Sequence, residues 1–119
     1  MKIINIAEKF DSFSEHWKPK IIAELNGQQI RIAKLKGEFV WHSHENEDEM
    51  FLVIKGKLTI SFRDGDKALN EGEFLVVPKG VEHKPSAEEE VSIMLFEPAS
   101  VLNTGNVNND FTVKNLDRI

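Results

Sequence analysis

The sequence predicts an all-β fold, a small sandwich or barrel preceded by a short lead-in. Three observations carry this expectation. Seven short strand-like runs follow one another from about Ile21, and Gly, Asn, Asp and Pro turn signals separate them at regular spacing. At least one run, "KLTISF", alternates strictly between apolar and polar residues, the period of a strand with one dry face.

The elements follow in order. Residues 1–20 read as a lead-in in which Ile3, Ile4, Ile6, Ala7 and Phe10 form one amphipathic turn of helix. Trp17-Lys18-Pro19 then turns the chain into an extended conformation, because a residue before proline avoids the helical region. Residues 21–98 hold the strands. "IIAEL" and "QQIRIAKL" flank Asn26-Gly27, a pair that tolerates positive φ at both positions and so suits a two-residue hairpin. "EFVWHSH", "EMFLVI", "KLTISF", "EFLVVP" and "VSIMLFE" come next, with Lys55-Gly56-Lys57, Asp64-Gly65, Glu71-Gly72 and Pro78-Lys79-Gly80 between them.

In "KLTISF" the apolar face is Leu58, Ile60 and Phe62. "EMFLVI" is apolar on both parities and needs cover on both sides, from the lead-in or from a second subunit, and a homodimer is expected on that ground. Residues 99–119 form an Asn-rich tail packed on the surface, with Val101, Leu102, Phe111 and Val113 as anchors.

Composition limits function. A chain of 119 residues with 40% hydrophobic residues supports one domain with a real core. A formal charge of −5 without a basic cluster argues against nucleic-acid binding. The absence of cysteine removes disulfides, zinc–thiolate sites and thiol nucleophiles. The N-terminus lacks the apolar core of a signal peptide, and no apolar run approaches the ~18 residues of a membrane span. A cytoplasmic location without membrane contact is the expectation.

The segment "WHSHENEDE", Trp41–Glu49, holds two of the four histidines beside four acids. On a strand His42 and His44 project to one face, with Cα atoms roughly 6.5–7 Å apart, close enough to converge on one ion. Val40 shares their parity, which places that face inside. Phe39 and Trp41, of opposite parity, are expected outside the barrel or in a subunit contact. The acids Glu45, Glu47, Asp48 and Glu49 could each supply a further ligand, and parity leaves the choice open. His83, after Pro78 and Gly80 in "PKGVEHKP", is placed to point back into the barrel.

Together these residues resemble the cupin pattern. Its first half, Gly, His-x-His, Glu, Gly, is matched by Gly37, His42, His44, Glu49 and Gly56, with four residues rather than five between Gly37 and His42. Its second half is matched by Gly72, Pro78, Gly80 and His83, with Ala87 where an Asn is expected. The resemblance covers residues 37–87. It implies a double-stranded β-helix, or jelly-roll, barrel and a metal held by His42, His44, Glu49 and His83. The competing reading is a metal-free barrel whose imidazoles bond one another and water.

His16 reads as a surface or packing residue. Glu45, Glu47 and Asp48 read as a solvated loop, and so does "AEEE" at Ala87–Glu90. Three imidazoles and one carboxylate suit one divalent Fe, Mn, Ni, Co or Zn ion without choosing among them. Three functions are compatible. The first is an oxygen-dependent oxidation of a small molecule in an apolar pocket bounded by Val40, Phe51, Val53, Leu58, Ile60 and Phe62. The second is an isomerisation like that of the mannose-6-phosphate isomerase-like branch, for which Arg63, Lys34 and Lys36 are the basic residues nearest strand ends. The third is a non-catalytic small-ligand sensing module. Glu82 is the one further acid next to the histidines.

Overall fold

The computed structural model describes residues 1–119. One short helix, α1 (Ile6–Asp11), precedes eight strands: β1 (Lys20–Leu25), β2 (Gln28–Glu38), β3 (Glu49–Lys55), β4 (Leu58–Phe62), β5 (Gly65–Leu69), β6 (Phe74–Val77), β7 (His83–Pro98) and β8 (Asp117–Arg118). The fold is the all-β jelly roll expected from the sequence.

The β1–β2 hairpin turns at Asn26 (φ 51°) and Gly27 (φ 77°), both in the left-handed region that a type I′ turn requires. The sixteen-residue strand β7 is the organising element. Along one edge it pairs antiparallel with β2, from Glu38↔Ser86 to Gln28↔Pro98. Along the other edge its first residues pair with β4 (Phe62↔His83) and its last with β3 (Met50↔Phe96). β3 also pairs with β6, Glu49 opposite Val77. A single strand that serves two partners on one edge draws the ends of β3, β4 and β7 to one place.

Period-two burial locates the interior. In β3, Glu49, Phe51 and Val53 are buried and Met50, Leu52 and Ile54 are not. Leu58 and Ile60 of β4 join Val91, Ile93 and Leu95 of β7 in the inner cluster, with Trp17, Leu35 and Phe39 at one end. Each such side chain contributes roughly 1.5–3 kcal/mol by leaving water. A smaller cluster on the outer face (Phe10, Ile22 and Ile32) takes up Ile6, Phe13, Ile54, Met94 and Ile119. The lead-in thus covers part of the outward side of "EMFLVI", while Phe74, Val76 and Phe96 stay exposed.

Four local expectations are corrected. "EFVWHSH" is not a strand: after Glu38 the chain is irregular apart from a single antiparallel bridge between His42 and His83. Strand parity therefore fails there, and Phe39 packs inside, its ring stacked on Trp17 at 4.6 Å and 11°. Trp41 is half-buried, with the Arg63 guanidinium 3.8 Å from its ring centre. "AEEE" lies within β7: Ala87 is buried opposite Gly37 and only the three glutamates are exposed. The turn Asp64-Gly65 is followed by an additional strand, β5, paired to β4.

Residues 99–119 close one end of the barrel. Val101 and Thr104 are buried. The Asn106 amide donates to the Ser43 carbonyl (3.0 Å), and the Ser43 amide donates to Asn106 Oδ1 (2.9 Å). The segment thus lies against the backbone between the two histidines. Gly105 touches it so closely that a Cβ would collide with the Ser43 carbonyl oxygen.

Candidate metal centre

Three local devices position the four sequence-predicted residues. His42 and His83 exchange backbone hydrogen bonds, His42 N to His83 O at 3.0 Å and His83 N to His42 O at 2.9 Å, which brings β7's first residue to the irregular segment. His44 is fixed through its carbonyl, which accepts from Gly80 N at 2.7 Å. Gly80 (φ 81°) occupies a turn conformation that disfavours other residues. Glu49 opens β3 on the inward face. All four are buried, and their ligating atoms lie within 4.8 Å of one another.

The imidazoles are set in one tautomer by their partners. His42 Nδ1 donates to the Val40 carbonyl (2.9 Å) and His83 Nδ1 to the Val81 carbonyl (2.9 Å). A carbonyl can only accept, so both rings carry the proton on Nδ1 and present a lone pair on Nε2. His44 Nε2 and His83 Nε2 lie 3.3 and 3.4 Å from Glu49 Oε1. These three atoms are buried without a hydrogen-bond partner. Buried polar groups are nearly always satisfied, so three converging orphans call for a ligand they share. A divalent cation fits. Bonds of about 2.1 Å put neighbouring ligand atoms ~3 Å apart and opposite ones ~4 Å apart, close to the spacing found here. Three imidazoles and one carboxylate suit a first-row divalent ion and do not select one.

Electrostatics suit the same occupant. Burial, then the neighbouring His83, lowers the His42 pKa to about 4, so the ring stays neutral and able to ligate at pH 7. Burial by itself would raise the Glu49 carboxyl, but the protonated Glu97 beside it outweighs this and holds Glu49 well below the usual range. The site keeps a negative charge facing the lone pairs of His42 and His83.

Sequence reasoning missed a second buried carboxyl, Glu97, which lies beside Glu49. Burial, and then the Glu49 charge, push it well above the usual carboxylate range; Arg31 opposes this without prevailing. Glu97 Oε1 accepts from Arg31 at 2.9 Å, and Oε2 has no partner of its own. Glu97 is therefore the protonated member of the pair, able to donate towards Glu49. Arg31 is held in turn by Gln29 Oε1 (2.9 Å) and the carbonyls of Val101 (2.8 Å) and Ala99 (3.1 Å). A signal existed: Glu97 shares parity with Val91, Ile93 and Leu95, and a carboxyl that ends an apolar face is out of place unless it is paired.

The remaining polar residues stay out of the cluster. Asp48 accepts from Lys79 N (2.9 Å), Glu47 from Ser100 Oγ (2.9 Å), and Glu45 is exposed. His16 meets Glu90 at 2.7 Å on the surface. Glu82 pairs with Arg63 in solvent, and Lys34 donates to the Phe13 carbonyl.

A cavity of about 40 Å³ adjoins the cluster, walled by Trp17, Ala33, Leu35, Phe39, Phe51, Ile93 and Leu95, with His42, Glu49, Glu97 and Asn103 as its polar edge. No Lys or Arg lines it.

Residues 30–97 match the Cupin_2 family, the cupin domain. The Bacillus subtilis (strain 168) protein YdbB is 38% identical over 80 residues, 66% of this chain and 65% of that protein. The chain thus spans just under two thirds of that relative's length. A cupin-2 domain containing protein from Shewanella frigidimarina NCIMB 400 is 52% identical, with a TM-score of 0.80 over 81% of this chain and 94% of that one. The hydroquinone 1,2-dioxygenase PnpCD, solved with Cd2+ and 4-hydroxybenzonitrile, has a TM-score of 0.69 over 77% of this chain and 70% of its own. At 14% identity that likeness is one of fold. With the family match covering more than half of its length, this chain belongs to the Cupin_2 family of cupin domains.

Proposed function

We propose that the chain binds one divalent transition metal through His42, His44, Glu49 and His83 and promotes an oxygen-dependent oxidation of a small organic molecule. The observation that carries the reading is the set of three partnerless buried atoms, His44 Nε2, Glu49 Oε1 and His83 Nε2, beside an apolar cavity. When bound, the ion would supply open coordination positions for dioxygen or substrate and redox or Lewis-acid chemistry.

The chain's own residues do the rest. The Nδ1–H bonds of His42 and His83 orient the rings, and such outer hydrogen bonds tune ligand basicity. Glu97 steadies Glu49. The apolar walls keep out water and favour an uncharged substrate with few polar groups. That PnpCD is a dioxygenase agrees with this reading without carrying it.

The isomerase reading gains less support. A sugar phosphate needs inward cations; Arg31 is engaged by Glu97, Gln29 and two carbonyls, and Arg63 faces Glu82 outside.

Metal analysis of protein purified without added metal, set beside the His42→Ala/His44→Ala variant, tests the centre. About one ion per wild-type chain and none in the variant is expected; equal content in both would end the claim. Oxygen uptake with phenols or diketones tests the reaction. Stabilisation by such compounds without uptake would point to the sensing module, and anaerobic turnover of phosphosugars to the isomerase.

A further inference from the structure

Two hollows meet at one pair of aromatic rings. The inner one is the cavity of about 40 Å³ beside His42 and Glu49, with Trp17 and Phe39 in its wall. The outer one is a groove of about 520 Å³ between the lead-in and the C-terminal segment, with Trp17 and Phe111 in its wall. Trp17 belongs to both. The half-buried Phe111 ring lies 6.1 Å from Trp17 and 5.2 Å from Phe39. Phe39 in turn meets the His42 ring edge-on at 5.3 Å.

The rings differ in freedom. Trp17 is a fixed wall: its amide donates to the Lys34 carbonyl and its indole Nε1 to the Lys36 carbonyl, both at 2.9 Å. Its φ of 61° is a left-handed conformation that a bulky residue rarely adopts. This backbone turns the indole into the barrel mouth, and strain of that kind tends to gather at functional sites. Phe39 is stacked on the indole and shares its rigidity. For Phe111 only the backbone is pinned. Asn109 Oδ1 accepts from its amide (2.9 Å), and Asn103 Nδ2 donates to its carbonyl (2.7 Å). Asn103 Oδ1 also accepts from the next-but-one amide, Val113 (2.9 Å). The Phe111 ring is half-buried and borders the outer groove, whereas Trp17 and Phe39 are buried, so of the three it is the one whose displacement would disturb the core least.

Size makes that turn necessary. A benzene-sized molecule needs a cavity of ~150 Å³, far more than the inner cavity offers. The space that Phe111 vacates on swinging outward has the shape of one aromatic ring, bounded by Trp17 and Phe39 and leading to His42. We propose that Phe111 is the door between the outer groove and the metal-side cavity, and that it admits an uncharged single-ring aromatic molecule. Such a molecule replaces the Phe111 ring against Trp17 and Phe39, and the Glu49 carboxylate disfavours anions. The inference names the substrate class for the oxidation proposed above and rests on that reading.

The test is binding of 4-fluorophenol to the full chain after chelator treatment, followed by fluorine NMR. The indole N–H signal of Trp17, identified as the one that persists in Trp41→Phe, reports where the probe sits. Expected are saturable binding to wild type with a shift of that signal, and exchange at least about tenfold faster in Phe111→Ala. Phe111→Leu should fall between the two and serves if the alanine variant does not fold. The proposal is overturned if wild type does not bind, even where Phe111→Ala does, since the variant would then merely contain a hole. Equal exchange rates in all three proteins, or binding that leaves the Trp17 signal unmoved, overturn it as well. Neither metal nor turnover enters the measurement, so a failed metal centre and a failed door give different results.

Discussion

Glu97→Ala should be among the most damaging single substitutions in the chain, although the residue lies outside the cupin pattern of glycines, histidines and Glu49. Glu97 and Arg31 are 1% and 2% exposed and pair at 2.9 Å. Glu97 is protonated and gives Arg31 an acceptor rather than a counter-charge. Its removal leaves the buried guanidinium one acceptor short and Glu49 without its donor, each loss worth about 1.5–3 kcal/mol because a charged group is involved. Arg31 keeps its bonds to Gln29, Ala99 and Val101, which places the expected total at about 3 kcal/mol. Glu97→Gln preserves the shape, the acceptor for Arg31 and an N–H for Glu49, and should cost about 1 kcal/mol. Urea unfolding of metal-free protein measures both, with the slope unchanged if only stability moves. Metal titration gives a second readout: loss of a ligand's outer partner typically weakens binding by roughly 10–100-fold, and glutamine should restore most of it. An alanine variant within 1 kcal/mol of wild type, or a glutamine variant as unstable as the alanine one, would refute the argument.

Three further outcomes follow from the same geometry. The His42 pKa is lowered to about 4 by burial and by His83, against about 6.5 in the unfolded chain, so stability is lost as pH falls through that window. The total is about 3 kcal/mol, and the difference in urea midpoint between wild type and His42→Gln should shrink from pH 7 to pH 4.5; a constant difference would count against it. Gly105→Ala, at φ 55°, would drive a Cβ into the Ser43 carbonyl and press on His42 Cδ2 at 3.1 Å. It should cost about 1–3 kcal/mol and weaken metal binding, and an unchanged melting temperature would contradict the close contact. We propose that the exposed Phe74, Val76 and Phe96 form the contact of a homodimer. Sedimentation should give twice the chain mass for wild type and the chain mass for Phe96→Lys, and a monomeric wild type would dispose of it.

What could be read without coordinates is whatever local periodicity and short spacing encode. Strand alternation placed Leu58 and Ile60 inside, and Asn26-Gly27 marked its hairpin because tolerance of positive φ is set by the residue type itself, without help from distant contacts. The four members of the cluster were named by the resemblance to the cupin pattern, which alone singled out Glu49 among the neighbouring acids. The tertiary structure decided the rest. Parity misplaced Phe39 because residues 39–48 are not a strand, and their course is imposed by the bridge to His83, some forty residues away. The partnership of Glu97 with Arg31, the close contact of Gly105 with Ser43 and the meeting of Trp17 with Phe111 join residues 62 to 94 positions apart. Such pairs depend on how β7 divides its edge between β3 and β4 and on where the C-terminal segment closes the barrel, and no local pattern records either.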